Sequence, residues 1–194
     1  MDDLGAKELW QIALTSGVVA ALVNQIVLWI REHLAAQYKL KTDALFPAIR
    51  LIGRLERFAI ECSQQISNNY EEVASAESHG VAIPYCRIPE LTLPDEELAK
   101  LDKQLASQAE WIATERAHAE GFLNFKWEDT FDPHDFVPVC RNMVGYFGHR
   151  AIQCADNIRN KYDLPHLPKQ WGRKRTAAFL KKYADATQTD LKQT

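Results

Sequence analysis

Residues 9–30 read Leu-Trp-Gln-Ile-Ala-Leu-Thr-Ser-Gly-Val-Val-Ala-Ala-Leu-Val-Asn-Gln-Ile-Val-Leu-Trp-Ile, twenty-two positions without a charged side chain. Beyond this run the pattern changes. Apolar residues then recur every three or four positions, the period of helices that bury one face. The spacing predicts a helix over 42–73, with Leu45, Ile49, Ile52, Leu55, Ala59, Cys62, Ile66 and Val73 as its stripe and Pro47 near its first turn. A break over 75–93 follows, where Gly80, Pro84, Pro89 and Pro94 interrupt helical pattern. A second helix is expected from 94 or 95 to 122, opened by Asp95, Glu96 and Glu97 and buried through Leu98, Leu101, Leu105, Ala109, Ile112 and Ala119. After a loop, a third spans 135–162 on Val139, Met143, Phe147, Ala151, Cys154, Ile158 and Tyr162, and a short one spans 173–184. The predicted fold is all-α: one N-terminal transmembrane helix, then an antiparallel bundle of three long helices and a short C-terminal one.

The first run carries the membrane assignment. As a helix it would be about 33 Å long, enough to cross a hydrocarbon core of about 30 Å. Its backbone would be satisfied internally, and Trp10 and Trp29 lie near its ends, where indole favours the headgroup boundary. A signal peptide would need a positive n-region, whereas Asp2, Asp3 and Glu8 outweigh Lys7 here. An interfacial helix would carry a charged face, which this run lacks. The competing reading is a wholly soluble protein with 9–30 as its central core helix. It draws on Gln11, Thr15, Asn24 and Gln25, which lower the hydrophobicity.

Orientation follows the flanking charge. Arg31, Lys39, Lys41 and Arg50 follow the run, which predicts a bacterial inner-membrane protein with its N-terminus outside and its larger part in the cytoplasm. Cys62, Cys86, Cys140 and Cys154 have no framework spacing and suit a reducing compartment. The expected organisation is an anchor at 1–31, a bundle at 32–184 and a polar tail at 185–194. Within the anchor, Ala13, Ser16, Gly17, Ala20, Ala21 and Asn24 fall in an arc of about 140° at 100° per residue. Such small-x-x-x-small ladders let backbones approach, and an Asn amide gains a partner across the contact. The expected partner is a second copy or another membrane helix.

Three segments resemble small uncharacterised bacterial proteins with one N-terminal membrane helix. They are Ser-Gly-Val-Val-Ala-Ala-Leu-Val at 16–23, Leu-Glu-Arg-Phe-Ala-Ile-Glu-Cys at 55–62 and Arg-Asn-Lys-Tyr-Asp-Leu-Pro at 159–165. The resemblance implies a bacterial or phage source and brings no activity with it.

Charge refines the bundle. Net charge is −3, but between 69 and 135 fifteen acids face five Lys or Arg, while nine Lys or Arg face three acids from 159 onward. Lys169, Arg173, Lys174, Arg175, Lys181 and Lys182 form a basic stretch interleaved with Trp171, Phe179 and Leu180. Next to an anchor, this stretch suits an anionic lipid surface. Stacking of Trp171 on a nucleic-acid base and folding against the protein's own acidic face are the other readings. The 127–135 segment holds four carboxylates and His134, but not at EF-hand spacing, so a helix-capping Asp is the simpler account and no metal or cofactor is expected.

No nucleophile elbow, phosphate-binding loop, dinucleotide fingerprint or zincin motif is present. Arg141 and His149 resemble the Arg-to-His signature of all-helical HEPN ribonucleases. Seven residues separate them, more than that pattern allows, and they stand about 80° apart around a helix. No reaction is therefore expected. The sequence reads as a membrane-anchored interaction or scaffold module that self-associates through its anchor. The alternative from another class is a membrane-active toxin or phage-defence effector whose clustered anchors perturb the bilayer.

Overall fold

The computed structural model describes the backbone of residues 3–129, 132–168 and 172–191, and the side chains of 23–33, 42–128, 132–168 and 172–187. Among the described residues every regular element is a helix: α1 (Asp3–His79), α2 (Asp95–Leu98), α3 (Lys103–Asp129), α4 (Pro133–Tyr162) and α5 (Arg173–Leu191). The chain divides into two compact units, Met1–Asp43 and Ala44–Thr194. The all-α bundle expected from periodicity is present. Several boundaries differ, each for a local reason.

The helix expected over 42–73 is part of α1, which runs through Pro47 and continues to His79. Proline removes the hydrogen bond that the carbonyl four residues back would accept. That carbonyl belongs to Asp43, the residue at which the two units divide. α1 ends at Gly80, whose φ of 63° is a left-handed geometry that glycine adopts without a Cβ penalty. There the Val81 N–H donates back to the Ala76 carbonyl at 3.0 Å, and the Gly80 N–H to that of Glu77 at 3.4 Å.

The second expected helix is split. Asp102 interrupts it, because its Oδ1 accepts from the Gln104 and Leu105 N–H groups at 3.0 and 3.4 Å and so starts α3 anew. The Asp102 N–H donates to the Tyr162 hydroxyl at 2.9 Å, and its carboxylate meets Lys161 at 3.2 Å. These contacts tie the start of α3 to the end of α4, which makes the two helices antiparallel neighbours. The loop expected before α4 is shorter than read. α3 continues to Asp129, and Asp132 caps α4 by accepting from the His134 N–H at 2.9 Å, with Pro133 at the first helical position.

The break at 81–94 is irregular but held down, as an unladdered backbone requires. Asn69 donates to the Pro84 carbonyl at 3.2 Å, the Ile88 N–H to Glu120 at 2.8 Å, and Arg116 to the Pro89 carbonyl at 3.1 Å. Cys86 and Ile88 are buried beneath it. The core of the second unit joins Leu55, Phe58 and Ile66 of α1, Ile112 and Leu123 of α3, Val144, Phe147 and Ile158 of α4, and Leu180 of α5. Each such side chain contributes about 1.5–3 kcal/mol by leaving water. α4 meets its neighbours closely at glycine: a Cβ on Gly145 would lie 2.2 Å from the Tyr183 Cβ, and one on Gly148 would lie 2.8 Å from the Cys62 Cβ.

Candidate functional site

Among the described residues no helix is long and apolar enough to cross a membrane. The side chains of 9–22 lie outside the described residues, and with them Ala13, Ser16, Gly17, Ala20 and Ala21. The described end of the uncharged run is informative. Val23, Ile26, Val27, Leu28, Trp29 and Ile30 are all between 44% and 64% exposed, and Asn24 is exposed among them. At 100° per residue, five consecutive side chains from Ile26 to Ile30 point all the way round the helix. Trp29 stacks on His33 with ring centroids 5.5 Å apart.

The basic stretch divides in two. Lys169 and Trp171 lie outside the described residues. Lys174, Arg175, Lys181 and Lys182 are exposed on α5, with Lys181 paired to Asp185 at 2.8 Å and Lys182 5.8 Å from the Tyr183 ring centre. Arg173, read from sequence as part of the basic surface, turns inward instead. Its Nε meets Glu56 at 2.6 Å and its Nη2 meets Asp156 at 2.7 Å. Arg159 completes the cluster, clasping both Glu56 oxygens at 2.6 and 3.0 Å and donating to the Pro165 carbonyl at 3.1 Å. Burial raises the Glu56 carboxyl, but the hydrogen bonds and charges of Arg159 and Arg173 outweigh it and leave the group below its ordinary value. A cavity of about 190 Å³ lies beside the cluster, lined by Ala59, Ile60, Ile152 and Leu167 with Glu56 and Arg173 at its edge. Those two charged groups already answer each other, so the arrangement braces α1, α4 and the start of α5.

Arg141 and His149 are not brought together. Arg141 turns to α1, donating from Nε to Asn69 Oδ1 at 2.7 Å and from Nη2 to the Asn69 carbonyl at 3.2 Å, with its guanidinium 3.6 Å from the Tyr70 ring centre. The Tyr183 hydroxyl donates to that of Tyr70 at 3.3 Å. His149 has a buried Nδ1 without a hydrogen-bond partner. Burial lowers its pKa, Lys181 lowers it further, and Asp185 acts in the opposite sense. The four cysteines are buried and form no disulfide. Burial pushes the Cys86 and Cys140 thiols up to about 12 and Cys154 to about 11, and it raises Cys62 as well. A thiol so shifted is not a nucleophile at neutral pH. Among the described residues no group of three His, Cys, Asp or Glu is placed to hold a metal ion.

One surface was not read from sequence. Trp111, Phe122 and Phe125 of α3 are 60%, 51% and 64% exposed. Together with the exposed Thr114 and His118, they fall within an arc of about 80° on the helix. The buried stripe of Leu105, Ala109, Ile112 and Leu123 lies on the other side, centred about 140° away. An open groove of about 520 Å³, floored by Leu98, Leu101 and Ala106, ends beside Trp111 at Ser107 and Glu110. The aromatic spacing was the available signal, but 122 and 125 fell where the sequence suggested a helix end and a loop.

The chain matches no known family model, no curated protein and no solved structure.

Proposed function

We propose that this protein is a membrane-anchored helical interaction module. Residues 9–30 lie in the bilayer, and the unit Ala44–Thr194 presents its faces to partners in the cytoplasm. The observation that supports this is the exposed apolar girdle at 26–30, five consecutive large side chains left in contact with solvent. Placing such side chains in hydrocarbon gains about 1.5–3 kcal/mol for each one fully removed from water. The uncharged stretch preceding them extends the same surface without adding a charge. The small-residue ladder through Gly17 and Asn24 brings anchors together. Lys174, Arg175, Lys181 and Lys182, exposed on α5, suit an anionic leaflet at about 1 kcal/mol each. The module binds and assembles, and no reaction is assigned to it.

Fractionation tests the reading directly. Full-length protein should pellet with membranes, resist alkaline carbonate and dissolve only in detergent. A variant carrying Val19→Lys and Val23→Lys should move to the supernatant, because a cation near the centre of a spanning helix costs about 2.5–3.5 kcal/mol. Wild-type protein that stays in a high-speed supernatant without detergent ends the proposal.

A further inference from the structure

We infer that the aromatic face of α3 is an interface between two copies of this chain. Trp111 and Phe125 lie seven positions either side of His118, and Thr114 and Phe122 lie four positions either side. The stripe therefore repeats its spacing outward from one central residue over about 21 Å of helix. Such a face meets its own copy isologously, antiparallel, with the middle of the stripe near the two-fold axis. That arrangement sets each Trp111 against a Phe125 and each Phe122 against a Thr114, whose short side chain leaves space for the ring.

Area points to the same occupant. At the observed exposures, and with about 150–250 Å² for each aromatic, the three rings offer roughly 350 Å² per copy. With Ser107, Thr114, His118 and Gly121 alongside, two copies bury on the order of 1,000–1,200 Å², the lower end of a specific interface. Aromatic anchors of this kind carry most of the binding in such contacts. The flanks are mixed, with Glu110 and Glu128 exposed along one edge of the stripe and Lys126 exposed along the other, so the face carries no cationic excess for an anionic leaflet. This face does not depend on the anchor. A protein that fails to pellet with membranes and still dimerises through α3 would end the anchor reading alone.

Cross-linking of the full-length chain tests the inference. The four native cysteines are buried, so a short bis-maleimide addresses an introduced thiol. His118→Cys should give a product of twice the chain mass. Asn124→Cys, exposed but off the stripe, should not. Phe122→Asp added to His118→Cys should weaken the dimer about 30-fold or more while leaving the melting temperature of the dilute, monomeric chain unchanged. Trp111→Ser provides the same test through a second side chain. Equal cross-linking at 118 and 124 would mean that the anchors alone gather the copies, and it overturns the inference. A product of any other mass would assign the face to another protein and overturns it too, as would a dimer indifferent to both substitutions.

Discussion

α3 and α4 are helices of similar length, 27 and 30 residues, in the same unit, yet they place most of their aromatic residues differently. α4 turns Phe147 inward with Val144, Ala151 and Ile158, and it opens its other close contacts with Gly145 and Gly148. α3 fully buries only aliphatic and small groups, half-buries Trp127 against Tyr85 and Phe136, and leaves Trp111, Phe122 and Phe125 in solvent. The charges follow suit. Arg141 and Arg159 of α4 are buried and answered by Asn69 and by Glu56. On α3, Glu115 stays at the half-buried edge, paired with Arg150 at 2.6 Å. One helix holds the unit together, and the other keeps apolar surface that the fold does not need.

The contrast is broken most directly by trimming one phenylalanine from each helix. Phe147→Ala should cost about 3–5 kcal/mol in urea unfolding, the loss for a fully buried aromatic. Phe125→Ala should stay within about 0.5 kcal/mol when unfolding is followed at concentrations low enough to keep the chain monomeric, because within one copy its ring is 64% exposed. Comparable losses at both sites would mean that α3's aromatic face is structural. Next in size, Glu56→Gln keeps the shape but leaves Arg159 buried with its carboxylate partner gone, and about 3 kcal/mol should be lost. The acid limb should change as well. Glu56 titrates lower in the folded chain than its ordinary 4.5, so its contribution is complete above about pH 4.5 and fades as pH falls through the folded value. Unfolding curves from pH 7 to 3 should show that loss in wild type and not in Glu56→Gln.

Glycine sharpens the same comparison with opposite signs. Gly145→Ala drives a methyl into the Tyr183 Cβ and the Leu180 carbonyl, so α4 and α5 must part, at about 2 kcal/mol. Gly121→Ala meets nothing within 4 Å and should raise stability by up to about 1 kcal/mol, the helical preference of alanine over glycine. Thermal melts of the two variants should move in opposite directions.

How much of this was legible depends on the range of each signal. The helical period carried the bundle stripes well: Ile52, Leu55, Ala59, Cys62 and Ile66 are buried as read, as are Leu98 to Ile112 of their stripe. Ile49, read into the same stripe, is exposed near the start of the unit. Local competition moved the boundaries, since neither Asp102 as a cap nor the run through Pro47 alters hydrophobic periodicity. The ion cluster was beyond reach, because Glu56 and Arg159 are 103 positions apart and neither has a local pattern that names the other. Arg173 was misplaced for the same reason, as a basic run does not say which of its members turns inward. The α3 face was hidden because two apolar stripes on one helix compete for the core, and packing rather than spacing decides between them.

The smallest expected effect lies where α4 meets α5. His149 is held neutral by burial and by Lys181, with only Asp185 opposing, and its Nδ1 has no hydrogen-bond partner. Its folded pKa is therefore below the ordinary 6.5, and on acidification the unfolded chain takes up this proton first. Stability is complete above about pH 6.5 and declines as pH falls through the lower folded value, a window that opens at higher pH than that of Glu56. His149→Leu should remove this upper step and leave the acid limb unchanged, whereas Glu56→Gln should do the reverse. Urea unfolding of the two variants at pH 7.5, 5.5 and 4 separates the contributions. An upper step that persists in His149→Leu would mean that the α4–α5 contact does not sense that proton, and its neutrality would then be incidental to the packing.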